Sequence, residues 1–376
     1  MKVLNVNAVL DPVTGGGTAE RTVQISRALI QAGTDCSIMT TDLGLTEKVL
    51  SSLDDIDLIA FKCLIKRFYI PFVSYFRIKR LVRDFDIVHI MGHWTVLNAL
   101  VYIAARSLGK PYVVCPAGAL PIFGRSKIIK KVYNLLIGKN LIQNAAAWIA
   151  ITDDEKPQFL PYKIDEASIV VIPNGINPAD FPSGGENKFR KEIAVNSAPF
   201  MLFLGRLNPI KGPDLLLEAF IRGKDKWPEW HLVYAGPDGG LLDSLRKTAT
   251  KNDLINRVHF IGYVGGPKKS SAYHAADCLV IPSRQEAMSI VVLESGISGT
   301  PVVLTDQCGF DQVEHVGGGK VCPATSDGIY NSLQEIVNNS GNREHMGEKL
   351  KEYVENNYTW TVVIDKYIDL YNRLVD

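Results

Sequence analysis

Cysteine is scarce in this chain, and none of it is placed for chemistry. The six cysteines (Cys36, Cys63, Cys115, Cys278, Cys308 and Cys322) include no pair at C-x-x-C spacing. Neither a metal cluster nor a disulfide framework is expected, and reduced thiols are the default. Long apolar runs are missing as well. No stretch approaches the roughly 18 apolar residues that a spanning helix needs. The opening "MKVLNVNAVLDPVTGGG" carries one lysine and a short apolar run, too poorly flanked for a secretory leader. It reads as a first buried strand, and the cytoplasm is the expected location. There is no internal repeat and no low-complexity tract.

Acidic residues are thin in one region only. From Leu58 to Thr152 there are 14 basic residues and two acidic ones, Asp84 and Asp86. Residues 1–172 hold 20 Lys and Arg against 15 Asp and Glu, a balance of +5, while residues 173–376 hold 21 against 25, a balance of −4. A field of the first sign attracts phosphorylated substrates, anionic lipid or nucleic acid. Nothing resembling an aromatic RNA-reading motif is present, so nucleic acid is not an expected partner. Asp84 and Asp86 form a D-x-D of a kind that binds divalent metals elsewhere; set just before a strand in a basic neighbourhood, they read as a loop feature.

What the chain does contain is a globular composition, 46% hydrophobic and 22% charged over 376 residues, enough for two domains. Val- and Ile-rich runs alternate with helical patterns: "VLNVNAVL", "CSIMTT", "FDIVHIM", "PYVVCP", "AWIAIT" and "SIVVIP". That alternation predicts a parallel sheet covered by helices on both faces. Residues 173–199, rich in Pro, Gly and Ser, mark a boundary. The pattern then restarts with "FMLFLG", "HLVYAG", "VHFIG", "CLVIPS" and "PVVLT". The expected fold class is therefore α/β, with two doubly wound domains in tandem over residues 1–172 and 173–356. Residues 357–376 form an amphipathic tail helix, whose apolar stripe is Trp360, Ile364, Tyr367, Leu370 and Tyr371.

Three stretches carry candidate chemistry. In "FMLFLGRLNPIKGPDLLLEAF" a strand runs into a loop bearing Arg206 and Lys211 before Pro213 opens a helix. Two cations at the carboxyl edge of a parallel sheet suit a diphosphate, although solvated surface cations are an open alternative. In "SRQEAMSIVVLES" a loop carries Glu286 and a helix is expected to start near Met288 or Ser289. Its first amides, through Ile290, favour an anion, and Glu294 is expected about two turns further on. Glu286 could equally serve the helix dipole, and Glu294 could pair with a buried cation. In "DPVTGGGTAERTVQ" the glycines Gly15, Gly16 and Gly17 are expected in a loop where backbone approaches a phosphate, with Glu20 where a dinucleotide motif would place its third glycine. His93, after the strand "FDIVHIM", is placed to meet an acceptor hydroxyl or a phosphate, and His89 less so.

Taken together, the glycine-rich loop, "GRLNPIKG", and the E-x7-E of Glu286 and Glu294 followed by "GTPVV" resemble the retaining nucleotide-sugar glycosyltransferases of family 4, with their two-Rossmann (GT-B) architecture. The resemblance runs from Gly15 to the tail helix after Tyr358. It implies two domains facing each other across a cleft, and transfer of a sugar from a UDP- or GDP-sugar to a glycan hydroxyl without a metal or other cofactor. Arg206 and Lys211 would hold the diphosphate, with Gly16 and Gly17 approaching it. Glu286 would contact the sugar, the Met288, Ser289 and Ile290 amides the phosphate, and Glu294 the ribose. Two positions depart from the family pattern: Met91, where a histidine is frequent, and Ala117, where His or Arg is frequent. They leave His93 as the acceptor-side candidate. The basic, aromatic segment 61–83 suggests an anionic membrane surface and a lipid-diphosphate-linked acceptor in surface polysaccharide biosynthesis. A sugar-nucleotide epimerase of the same fold, acting without an acceptor, is the rival reading. A two-lobed periplasmic binding module would bring a leader and lack the E-x7-E.

Overall fold

The computed structural model describes residues 1–122, 126–338 and 340–375. Its contacts separate two compact units, Met1–Gly175 joined by the chain from Trp360 onward, and Ile176–Thr359. The first unit therefore extends to Gly175 rather than to residue 172, and the tail helix is Trp360–Val375, residues 357 and 358 ending the preceding helix Ser340–Tyr358. Packing explains the shift. A Cβ on Gly175 would stand 2.5 Å from the Trp360 ring, so the two residues are pressed together at the end of the first unit. The next residue opens the second: Ile176 pairs with Thr359, and its N–H donates to the Tyr358 carbonyl at 2.8 Å.

In the first unit the strands are β1 (Lys2–Val6), β2 (Asp35–Thr41), β3 (Asp57–Phe61), a hairpin of β4 (Cys63–Ile65) and β5 (Ile70–Pro71), then β6 (Ile87–Met91), β7 (Tyr112–Cys115), β8 (Ala147–Ala150) and β9 (Ile169–Val171). Seven of them form one sheet in the order β3-β2-β1-β6-β7-β8-β9. Every pairing in it is parallel, with Val3 opposite Cys36 on one side and Ile87 on the other. Strands covered on both faces need apolar side chains throughout, which is why β6 reads as a continuous buried run. The second unit repeats the plan with β10 (Phe200–Leu204), β11 (His231–Ala235), β12 (Val258–Gly262), β13 (Cys278–Ile281), β14 (Val302–Thr305) and β15 (Gly319–Cys322), ordered β12-β11-β10-β13-β14-β15.

Each sheet reverses its winding once, between β1 and β6 in the first and between β10 and β13 in the second. Open α/β sheets bind ligands beyond the carboxyl ends of their strands at such a reversal. Besides the β4–β5 hairpin, the strands absent from the sequence reading are β3 and β15, both sheet edges, where a half-covered strand need not be apolar throughout.

One expectation is corrected by the fold. Gly15, Gly16 and Gly17 do not form a loop; they lie inside the helical stretch Pro12–Gln31, which breaks at Gly16 (φ 58°, ψ −145°). Asp11 starts the first turn by accepting from the Thr14 N–H at 2.9 Å, and glycine alone tolerates the backbone that re-aims the helix at residue 16. Residues 61–83 divide into the β4–β5 hairpin and the short helix Tyr75–Arg83, whose Ile78 and Val82 turn inward, while Leu64, Ile65, Phe72 and Phe76 are exposed.

The tail helix buries Trp360, Val363, Ile364, Tyr367, Leu370 and Tyr371. At its centre sits Arg21, only 2% exposed. Its guanidinium donates to Asn174 Oδ1, to the Ile172 carbonyl at 3.1 Å and to the Tyr367 hydroxyl. Beside it Tyr371 bonds His89 Nδ1 at 2.7 Å.

Candidate active site

The site is built where β10 and β13 end. The loop leaving β10 folds on itself: Asn208 Oδ1 accepts the Lys211 N–H at 2.9 Å, turning Lys211 back before Pro213 opens the helix Pro213–Gly223. Gly212 adopts φ 66°, and a Cβ there would meet the Pro282 carbonyl oxygen at 2.0 Å. Only glycine lets this loop lie against the one leaving β13. Arg284 locks the two together. Its N–H donates to the Ile210 carbonyl at 2.7 Å, and its guanidinium reaches the Pro209 carbonyl at 2.7 Å and both Asp214 oxygens at 2.9 and 2.6 Å. A third segment, after β14, supports the acidic loop from behind: Glu286 N–H donates to Gln307 O at 2.8 Å and Ser289 N–H to Cys308 O at 3.1 Å.

These supports bring two expected residues together. Lys211 Nζ lies 2.8 Å from Glu286 Oε1, with the carboxylate side chain 9% exposed and the ammonium side chain 35%. Ser283 donates a second bond to the same Glu286 oxygen. A carboxylate this enclosed is held by partners, as burial requires. Arg206 projects, exposed, from the end of β10, its stem beside Gly239. Neighbouring Cys308 is buried; burial first, and then the Glu286 charge, pushes its thiol up to about 12, so it stays protonated.

The anion-binding end of the helix differs from expectation. The helix is Ile290–Ile297, with Ser289 as its cap and Met288 buried before it. The Ser289 amide is already committed to Cys308, so the amides left without an intrahelical acceptor are those of Ile290 and Val291, at the first two helical positions. The later start also puts Glu294 about one turn into the helix rather than two. Glu294 is 5% exposed and takes Lys269 Nζ at 2.8 Å and the Tyr273 hydroxyl at 2.6 Å, both from the helix Pro267–Ala275. Glu294 is thus paired with a cation, but one that is itself only partly buried. A carboxylate accepts about four bonds, so these two contacts do not saturate it.

In the first unit Gly16 and His93 follow β1 and β6, the two strands at that sheet's reversal. Gly16 faces open space, with nothing within 4 Å of a Cβ built there, and Gly17 beside it is exposed. His93 is enclosed instead. It is 1% exposed, its Nε2 bonds Asn134 Oδ1 at 3.2 Å, and Trp94, Tyr133 and Tyr162 stand around the ring at 4.4, 5.6 and 5.7 Å. A ring walled in this way is held by protein side chains in this conformation. Arg284, Asp214, Lys269 and Tyr273 escaped the sequence reading because each joins segments far apart in the chain, where no spacing rule operates.

Burial holds His93 well below the ordinary histidine range, down to about 4, against an opposing bond from Asn134; burial, with Arg21 adding to it, takes His89 down to about 3. Both rings are neutral when folded, whereas in the unfolded chain they gain a proton near pH 6.5. Stability should therefore fall as pH drops from about 6.5 toward 4, at most about 1.4 kcal/mol per pH unit for each histidine. Urea midpoints measured at pH 7 and 4.5 are expected to separate more in the wild type than in His93→Gln; an unchanged separation would contradict the assignment.

A family model described as Glycosyl transferases group 1 matches residues 185–353, and one described as Glycosyltransferase Family 4 matches residues 15–180. An uncharacterized glycosyltransferase of Methanocaldococcus jannaschii is 33% identical over 220 residues, covering 56% of this chain and 55% of that protein. The chain thus spans little more than half the length of that relative. A D-inositol 3-phosphate glycosyltransferase of Jonesia denitrificans is 24% identical over 99% of this chain and 95% of its own. Among solved structures, Anabaena HepE in complex with UDP-glucose superposes with a TM-score of 0.82 at 18% identity, covering 100% of both chains. WaaG, a glycosyltransferase involved in lipopolysaccharide biosynthesis, superposes with a TM-score of 0.70 at 18% identity over 98% of this chain and 99% of its own. With both halves matched by glycosyltransferase models and both sheets doubly wound, the chain belongs to the group 1, family 4 glycosyltransferases, built from two Rossmann-like domains.

Proposed function

We propose that the protein transfers a sugar, with retention of anomeric configuration, from a nucleoside-diphosphate sugar to a hydroxyl of a glycan acceptor. The observation that carries this is the Lys211–Glu286 pair, 2.8 Å apart at the carboxyl edge of the second sheet, beside the amino end of the helix Ile290–Ile297. Breaking the bond from sugar to diphosphate builds negative charge on the leaving group and positive charge on the ring. Arg206, Lys211 and the Ile290 and Val291 amides answer the first, where fixed dipoles and cations act most strongly. Glu286, released from Lys211 as the ammonium turns to the diphosphate, answers the sugar hydroxyls. The acceptor oxygen attacks the face the diphosphate leaves, its proton passes to the departing diphosphate oxygen, and no residue is covalently modified. Glu294 keeps acceptor capacity for the ribose diol.

The acceptor is assigned to the first unit on charge. A surplus of five cations over residues 1–172 favours an acceptor that carries phosphate, which a lipid-diphosphate-linked glycan of surface polysaccharide assembly does. The phosphate on the inositol named for the Jonesia relative supports a phosphate-bearing acceptor.

A thermal-shift comparison of UDP, GDP and their sugars tests the donor assignment. A nucleotide held by this site, at 100 times its dissociation constant, stabilises the fold by about 2.7 kcal/mol. One base is expected to outperform the other, and no stabilisation by either at millimolar concentration would remove the proposal.

A further inference from the structure

The helical segment following residue 126 carries its apolar stripe on the wrong side. It runs as α-helix Lys127–Tyr133, a π-helical turn Asn134–Gly138 and α-helix Lys139–Gln143. Its inner face is anchored by polar bonds as well as by Leu141 and Ile142. Tyr133 donates to the His93 and Thr95 carbonyls at 2.9 and 3.1 Å, while Asn134 meets His93 at 3.2 Å and the Tyr162 hydroxyl at 3.1 Å. Outward, at helical spacing, stand Ile128, Ile129, Val132, Leu135 and Leu136, between 49% and 82% exposed. A surface helix ordinarily turns such residues to the core, and a contiguous apolar ridge left outside marks an interaction surface.

Charge identifies what covers it. Lys127, Lys131 and Lys139 flank the ridge, all exposed, and the sequence has no acidic residue between Asp86 and Asp153. A second copy of the chain would bring lysine against lysine. An anionic bilayer accepts both parts: the aliphatic ridge enters the acyl boundary and the ammonium groups reach up to lipid phosphates.

We infer that residues 127–143 form an interfacial anchor that inserts Ile128, Val132, Leu135 and Leu136 into an anionic membrane leaflet. The anchor deepens the reading of a lipid-linked acceptor but does not depend on donor chemistry, and its inner face bonds His93, so docking and the wall around that histidine share one element.

Sedimentation of the full chain with phosphatidylcholine vesicles, with and without phosphatidylglycerol, tests the anchor. The wild type is expected to partition onto the anionic vesicles. Leu135→Glu with Leu136→Glu should lower that partition by more than about tenfold. Replacing Lys127, Lys131 and Lys139 by Gln should lower it roughly a hundredfold at low salt. Both variants should keep the wild-type unfolding midpoint and its response to UDP or GDP, so a failure of the anchor is separable from a failure of the donor site. Absence of wild-type partition, or equal partition by the leucine variant, would overturn the inference. So would loss of self-association by the leucine variant with vesicle binding unchanged.

Discussion

Lys211→Ala is expected to lower the rate of sugar transfer by about 10²–10³, or about 2.7–4 kcal/mol of transition-state stabilisation, while the protein stays folded. The ammonium is the cation that the two loops position most tightly: Asn208 turns its backbone, Gly212 allows the loops to abut, and Glu286 fixes its tip. An interaction aimed at charge that develops only as the bond breaks lowers kcat and kcat/KM together. Lys211→Arg should not restore the rate, because a planar fork does not replace a compact ammonium at 2.8 Å from Glu286. The side chain is about one-third exposed, and Ser283 still holds Glu286 when it is removed, so the unfolding midpoint should barely move. A surface ion pair without a role would give the reverse pattern, near-normal turnover with a small change in stability. Steady-state kinetics on Lys211→Ala separates the two.

Arg21→Ala should produce the largest loss of stability. The guanidinium is buried among Asn174, the Ile172 carbonyl and Tyr367, so truncation leaves a cavity and strands three polar partners. A cost of about 3–5 kcal/mol is expected from cavity and unpaired groups together. For a unit of this size that is a fall of about 6–20 °C in Tm. Arg21→Met, which keeps most of the volume, should recover the cavity part but not the hydrogen bonds. Differential scanning calorimetry reads both, and a shift under about 2 °C for Arg21→Ala would show that the tail helix and the residue 172–174 segment do not depend on this bond set.

How far the chain could be read follows from the range of each interaction. Strands covered on both faces announce themselves, because a run such as "DIVHIM" has no other economical explanation. Of the four edge strands, β9 and β12 are apolar enough to read, while β3 and β15 are not, and β15 contains Gly319, required where a Cβ would meet the Val302 carbonyl oxygen at 2.1 Å. The meeting of Lys211 with Glu286 was legible because both sit just past strands that are neighbours at the sheet's reversal. The partners of Glu294 were not, since Lys269 and Tyr273 come from another helix. Arg21 gathers Ile172, Asn174 and Tyr367 across more than 150 positions of sequence, beyond any local pattern. The anchor helix was hidden for a different reason: periodicity tells which residues share a face, and the usual assumption places that face inside. At Gly16 the composition pointed to unusual backbone, but only the dihedral angles reveal a broken helix in place of a loop.

The central claim is that the second unit holds an activated sugar at the ends of β10 and β13. A crystal structure of the protein soaked with the nucleotide sugar that stabilises it most tests this directly. The diphosphate is expected against Lys211, Arg206 and the Ile290 and Val291 amides, with Glu286 turned from the lysine to the sugar. Nucleotide bound elsewhere, with the 2.8 Å Lys211–Glu286 pair undisturbed, would contradict it.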